Sequence, residues 1–241
     1  MWSWLTKVGS EAISKLTLRS AGMASASSTF AEPDIATEKA TFGMGCFWAP
    51  EPIFGSKKGV VRTKVGYTGG KKENPTYYSM GDHTEAIQIE YDPSQTDYKT
   101  LLDIFWTTHD PTSRHKTQYK SAIWYHNDEQ EKLAKETKAA RQAEHRSPIV
   151  TDIEKFERFY DAEDYHQKYH LREHSRFYDS LKLTDPQLIK SHLATRIHGY
   201  MYGYGTAQEF AEESSKWGLS QEQLDYIKKN MARPRAIHCG L

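Results

Sequence analysis

Residues 40–51 read ATFGMGCFWAPE. Ala40–Gly45 has the short, apolar-rich form of a strand. Gly43 and Gly45 precede Cys46, Phe47, Trp48 and Glu51, which read as the opening of a short helix that ends by Gly55 and Gly59. Val60–Tyr67 then reads as a second strand. Pro50 suits a first helical turn, where its missing N–H would have no intrahelical partner anyway. Pro52 is more awkward: in a helix opening at Phe47 it would remove the bond to the Trp48 carbonyl, which predicts a shifted or irregular first turn.

Outward from this stretch, strands and helices continue in an irregular order. Gly66-Tyr67-Thr68-Gly69-Gly70 and Asn74-Pro75 mark a loop. Ala86–Tyr91 alternates, with Ile87, Ile89 and Tyr91 on one face, as a half-buried strand does. Ser94–Asp97 has the look of a capping box ahead of a helix bearing Tyr98, Leu101, Leu102 and Phe105 at helical spacing. Lys120–Tyr125 reads as a strand, Asp128–Arg146 as a polar helix and Pro148–Phe156 as a further strand. This order predicts an α+β fold, a mixed or antiparallel sheet covered by helices, rather than a doubly wound sheet. Beyond about residue 160 strand signals cease, and Asp185–Tyr200, Thr206–Lys216 and Ser220–Met231 read as a C-terminal helical extension. Residues 234–241 form an aperiodic tail.

The 241 residues are enough for one large domain or two small ones. Thirty-two basic and thirty-two acidic side chains cancel, so no global charge draws the chain to nucleic acid or an anionic membrane. No apolar run has the length of a membrane span. Residues 1–30 differ from the rest: Lys7, Lys15 and Arg19 face only Glu11 among interspersed Trp and Leu, followed by a Ser/Ala-rich stretch. This is the composition of a leader, either disordered or a mitochondrial transit peptide. It predicts a cytoplasmic protein, with a mitochondrial form if residues 1–22 act as a transit signal.

Two cysteines, Cys46 and Cys239, exclude a disulfide scaffold and suit a reducing compartment. A sulfur at a helix start lies near backbone N–H groups, which favours the thiolate, whereas a lone cysteine is otherwise a small buried apolar residue. Local physics leaves three readings open: a redox thiol, a cysteine hydrolase with a histidine such as His83, and a binding domain whose Cys46 is inert. His166, His170 and His174 recur every four residues; with no cysteine or carboxylate completing a known ligand pattern, they read as a packed or solvated face rather than a metal site.

Gly45-Cys46-Phe47-Trp48 with Glu51 resembles the active-site motif of the A-type peptide methionine sulfoxide reductases. The resemblance continues in order through Gly66–Gly70, Asn74–Tyr77, His83-Thr84-Glu85, Tyr91-Asp92-Pro93, His109-Asp110-Pro111, Thr117–Ser121 and Glu163–Gln167, covering residues 38–172. It implies a two-layer sandwich with a ferredoxin-like core, and an enzyme that reduces methionine-S-sulfoxide, free or in proteins. It also implies Cys46 as the nucleophile that becomes a sulfenic acid, a reversible rung of thiol oxidation. Glu85 matches the family's acid, Tyr77 and Tyr119 its two hydroxyls toward the sulfoxide oxygen, and Phe47 and Trp48 its wall around the S-methyl group. Thioredoxin is the implied reductant; no metal or cofactor is implied, and a monomer is the family default. Two departures stand out. Thr112–Lys116 is short and lacks the aspartate common there, and no cysteine follows the His-Gln motif. That leaves Cys239 to act as the resolving thiol.

Overall fold

The computed structural model describes residues 32–231. The leader and the tail with Cys239 lie outside the described residues. The chain runs β1 (Glu38–Met44), α1 (Pro50–Gly55), β2 (Val60–Thr68), β3 (Thr84–Tyr91), α2 (Tyr98–Thr108) and β4 (Ser121–Tyr125). It continues α3 (Asp128–Gln142), β5 (Asp152–Lys155) and β6 (Phe159–Asp161), then α4 (Tyr169–Arg172), α5 (Ser175–Ser180), α6 (Asp185–Lys190), α7 (His192–Met201), α8 (Ala207–Ser214) and α9 (Gln221–Met231). The six strands lie in the order β5-β4-β1-β3-β2-β6. Only the β4/β5 pair is parallel. The middle four strands, with α1 and α2, have the β4-β1-β3-β2 order and β-α-β-β-α-β sequence of a ferredoxin-like core. The fold is α+β with a helical extension, as expected.

Alternation sets the layers. Phe42 of β1 and Ile87 and Ile89 of β3 point to one face, where Phe42 meets Phe54 of α1, Tyr98 and Phe105 at ring-centroid distances of 5.1–6.0 Å. These side chains are fully or nearly fully buried and form the main core. α2 is capped by Asp97, whose carboxylate accepts from the Thr100 amide at 2.7 Å. Ser94, expected to cap it, bonds to Asp92 instead, within a turn in which the Gln95 and Thr96 amides donate to the Asp92 carbonyl. β5 spans only Asp152–Lys155 of the expected Pro148–Phe156, and α3 ends at Gln142 rather than Arg146.

A second core gathers Leu171, Phe177, Ile197, Tyr200, Phe210 and Trp217 in the extension. The expected single helix over 185–200 is two helices. Ser191 adopts an extended conformation (ψ 119°), ends α6, and caps α7 through its side chain on the Ala194 amide. α7 seats against α1. Gly199 is required there, since a Cβ would stand 2.4 Å from the Ser56 nitrogen. The buried Arg196 donates to the carbonyls of Gly55 and Lys57 at 2.8 Å and pairs with Glu213. Among the described residues no helix is long and apolar enough to cross a membrane.

Candidate active site

β1 is flanked on both sides within the sheet, so its C-terminal end is a rigid support. There Gly45 turns the chain at φ +81°, a conformation that side-chain-bearing residues avoid. Cys46 follows, half-buried. It does not start the helix as expected. The Cys46 carbonyl accepts from the Ala49 amide at 3.3 Å in a separate turn, and α1 opens only at Pro50. Pro52 therefore falls within the first four helical residues, whose N–H groups have no intrahelical acceptor, and its ring costs no bond. This is the shift that Pro52 foretold. Three residues separate Cys46 from α1, which has only six residues, so the sulfur gains little from a helix macrodipole.

The next two residues make the walls. Phe47 packs with Val65, Tyr67, Met80 and Ala162. Trp48 is held from two sides: its ring stacks on Tyr169 at 3.8 Å and 6°, and its indole N–H donates to His166 Nδ1 at 3.1 Å. That bond fixes His166 as the Nε2–H tautomer when neutral, and burial holds the imidazole neutral, with its pKa down at about 4.

Glu85 lies on β3, directly opposite Tyr67 in the sheet, with the residue 1% exposed. Its Oε2 accepts from the Phe47 amide at 3.2 Å, tying it to the residue beside Cys46, and its Oε1 accepts from Gln118 Nε2 at 2.8 Å. Burial raises the carboxyl to about 7, against the opposing pull of those two hydrogen bonds and the Lys116 charge. Glu163 behaves in the opposite way. Although burial pushes it up, hydrogen bonds from the Tyr67 hydroxyl (2.7 Å) and the Tyr77 amide (2.9 Å) hold it below the usual carboxylate range. Two carboxyls driven apart in this way divide the roles of acid and anion. Tyr119 completes the group: its hydroxyl is raised by burial, by a hydrogen bond with Tyr77, and by the nearby Glu85 and Cys46.

Cys46, Phe47, Trp48, Tyr77, Glu85 and Tyr119 thus gather around one end of β1. Cys239 lies outside the described residues. Gln118, Glu163 and Tyr169 carry no signal of their own beyond the motifs in or beside which they sit, and His166, expected on a packed or solvated face, holds Trp48. His83 is not available as a base. Its Nδ1 accepts from the Gly70 amide at 3.2 Å and its Nε2 bonds the Lys72 carbonyl at 2.7 Å, so it braces the 70–72 loop. The three histidines at four-residue spacing do not share a face, because α4 covers only Tyr169–Arg172. His166 bonds Trp48, His170 bonds Glu173, and His174 bonds Tyr226.

A protein-family model described as peptide methionine sulfoxide reductase matches residues 38–196, well over half of the chain. The chain belongs to the A-type peptide methionine sulfoxide reductases. A second model, described as the helical domain of selenoprotein methionine sulfoxide reductase A, matches residues 182–231. The peptide methionine sulfoxide reductase of Drosophila melanogaster is 46% identical over 191 residues, 78% of this chain and 77% of that one. The MsrA of Methanosarcina acetivorans is 45% identical over 152 residues, 58% of this chain and 81% of that one. Among solved structures, reduced Mxr1 from Saccharomyces cerevisiae superposes with a TM-score of 0.55 at 29% identity, covering 60% of this chain and 90% of the other. Methionine sulfoxide reductase A of Corynebacterium diphtheriae gives 0.52 at 32% identity, covering 56% and 74%. This reductase is therefore an oxidoreductase acting on methionine sulfoxide.

Proposed function

We propose that this reductase acts on the S epimer of methionine sulfoxide, in proteins or free, through Cys46. The Cys46 sulfur attacks the sulfoxide sulfur. The sulfoxide oxygen passes to Cys46 as sulfenic acid, and methionine leaves as the thioether. The oxygen gains basicity as its bond to sulfur weakens, so a neutral acid beside it lowers the barrier. Glu85 is that acid: each of its oxygens accepts one hydrogen bond and keeps a second lone-pair direction for a proton. The Tyr77 and Tyr119 hydroxyls hold the sulfoxide oxygen, while Phe47 and Trp48 wall the S-methyl group. A sulfur–aromatic contact is worth roughly 0.3–1.5 kcal/mol, enough to orient the substrate but not to drive the step.

The observation that carries this reading is Glu85 itself, a carboxyl raised to about 7 and tied to the amide adjoining Cys46. The cycle closes when the Cys239 thiol condenses with the Cys46 sulfenic acid, releasing water and forming a disulfide that thioredoxin reduces to two thiols. In this scheme residues 38–172 are the catalytic unit, 173–233 the extension, 234–241 the tail that brings Cys239, and 1–30 a leader. The enzyme works as a monomer, in the cytoplasm, with a mitochondrial form if the leader directs it there.

The test is incubation with dithiothreitol and each epimer of a methionine sulfoxide peptide, read by mass. Loss of one oxygen from the S epimer is expected; a peptide that keeps its oxygen, or R-epimer reduction at equal rate, refutes the reading.

A further inference from the structure

Trp48 is gripped by two residues that lie three apart in sequence, His166 and Tyr169, and a single residue of unusual conformation between them makes this possible. Lys168 has φ 53° and ψ 43°, a left-handed conformation uncommon for a residue with a long side chain. Gln167, just before it, is fixed to the sheet through its side-chain amide, which bonds both the N–H and the carbonyl of Val65. Without the turn at Lys168, the chain leaving Gln167 would not bring Tyr169 back onto the indole.

The turn is held in place by Glu51. One carboxylate oxygen accepts from the Lys168 backbone amide at 2.9 Å, and the other accepts from Lys168 Nζ at 2.6 Å. The ammonium also donates to the Thr63 carbonyl at 2.6 Å, and Thr63 Oγ1 donates to Glu51 at 3.3 Å. Both charged side chains are 0% exposed. Glu51 thus grips the same residue by backbone and by side chain. His198 of α7 closes the pair from the extension, its Nδ1 3.7 Å from Glu51 Oε2; burial, Lys168 and His170 keep that imidazole neutral.

We propose that the Glu51–Lys168 pair is a positioning device for substrate binding: it sets the left-handed turn that clamps Trp48 between Tyr169 and His166. The inference rests on the reading of Trp48 as the wall against the S-methyl group. Neither residue touches substrate. Cys46 and Glu85 are held separately, by the β1/β3 register and the Phe47 amide, so loosening the clamp acts on binding and spares the chemical step.

The experiment compares Michaelis parameters for a methionine-S-sulfoxide peptide with dithiothreitol as reductant, alongside the melting temperature. The double variant Glu51→Gln/Lys168→Met removes both charges together and leaves no lone buried ion. It is expected to raise KM about threefold to tenfold, the worth of one lost sulfur–aromatic contact, with kcat within about twofold. Tyr169→Ala, which leaves the buried charges alone, is expected to raise KM to a similar extent. Trp48→Ala sets the ceiling. If Trp48→Ala raises KM while a folded double variant or Tyr169→Ala keeps the parent value, the positioning role is overturned. If Trp48→Ala itself keeps the parent KM, the wall reading fails and the inference falls with it. A fall in kcat that only tracks melting temperature would mark the pair as purely structural and overturn the proposal too.

Discussion

Replacing Glu85 by glutamine separates what this carboxyl does to the fold from what it does in the reaction. Its value is 4.5 in an ordinary setting and about 7 in the folded protein, chiefly through burial. A carboxyl raised on folding contributes stability that is complete below about pH 4.5 and lost as pH climbs through 7, because above that the folded state must bury an anion. The full swing is about 3 kcal/mol. Glutamine never ionises. Its carbonyl can accept from the Phe47 amide, and its NH₂ can donate to Gln118 once that amide turns over, so both hydrogen bonds survive. Glu85→Gln is thus expected to be more stable than the parent at pH 8 by up to about 3 kcal/mol, the gain vanishing near pH 4.5. Its turnover should fall by about 10²–10⁴, since the proton donor is gone. Urea unfolding at pH 5 and pH 8, with kcat measured under dithiothreitol, reads both effects. Equal destabilisation at the two pH values, or a kcat within about threefold of the parent, would refute the assignment of a buried, protonated acid.

In the parent enzyme the same titration predicts a kcat that declines on the alkaline side with a midpoint near 7, and a midpoint at ordinary carboxylate pH would contradict it. Cys239→Ser is expected to keep dithiothreitol-driven turnover and lose most thioredoxin-driven turnover; unchanged thioredoxin turnover would show that another thiol recycles Cys46. Tyr77→Phe and Tyr119→Phe should each slow reduction by about tenfold, the worth of one hydrogen bond to a developing charge, with the double variant slower than either. Arg196→Met strips two carbonyls and Glu213 of their shared partner and is expected to cost about 3 kcal/mol in chemical denaturation.

The parts of the fold legible in the sequence were those where one period dominated. Alternation marks β3, helical spacing marks α2, and the Ala/Lys/Glu-rich run marks α3. What escaped notice is decided by partners distant in the chain. β6 has three residues, too few for a period, and exists because Phe159–Asp161 pair with Gly66–Thr68. The break at Ser191 is invisible in helix propensity, since serine caps one helix while ending another. The site divides in the same way. Cys46, Glu85, Tyr77 and Tyr119 are candidates because their motifs resemble a family, and only Cys46 stands out on local chemistry. Gln118, Glu163 and His166 were hidden, since their work is to hold other side chains, and a hydrogen bond between residues 33 or 118 positions apart leaves no trace in either neighbourhood.

The seating of α1 under α7 also bears on the order in which a growing chain can be completed. Every residue of α1 is buried, yet its carboxylate at Glu51 waits for Lys168, 117 positions later, and its last carbonyl waits for Arg196, 141 positions after Gly55. Contacts this distant form late, because the loop they close must first exist. A ribosome releases Cys46 early, and the clamp for its neighbouring tryptophan only once Tyr169 has emerged. A product cut before Tyr169 therefore carries the thiol without the clamp, and one cut before α7 leaves the Gly55 and Lys57 carbonyls without Arg196.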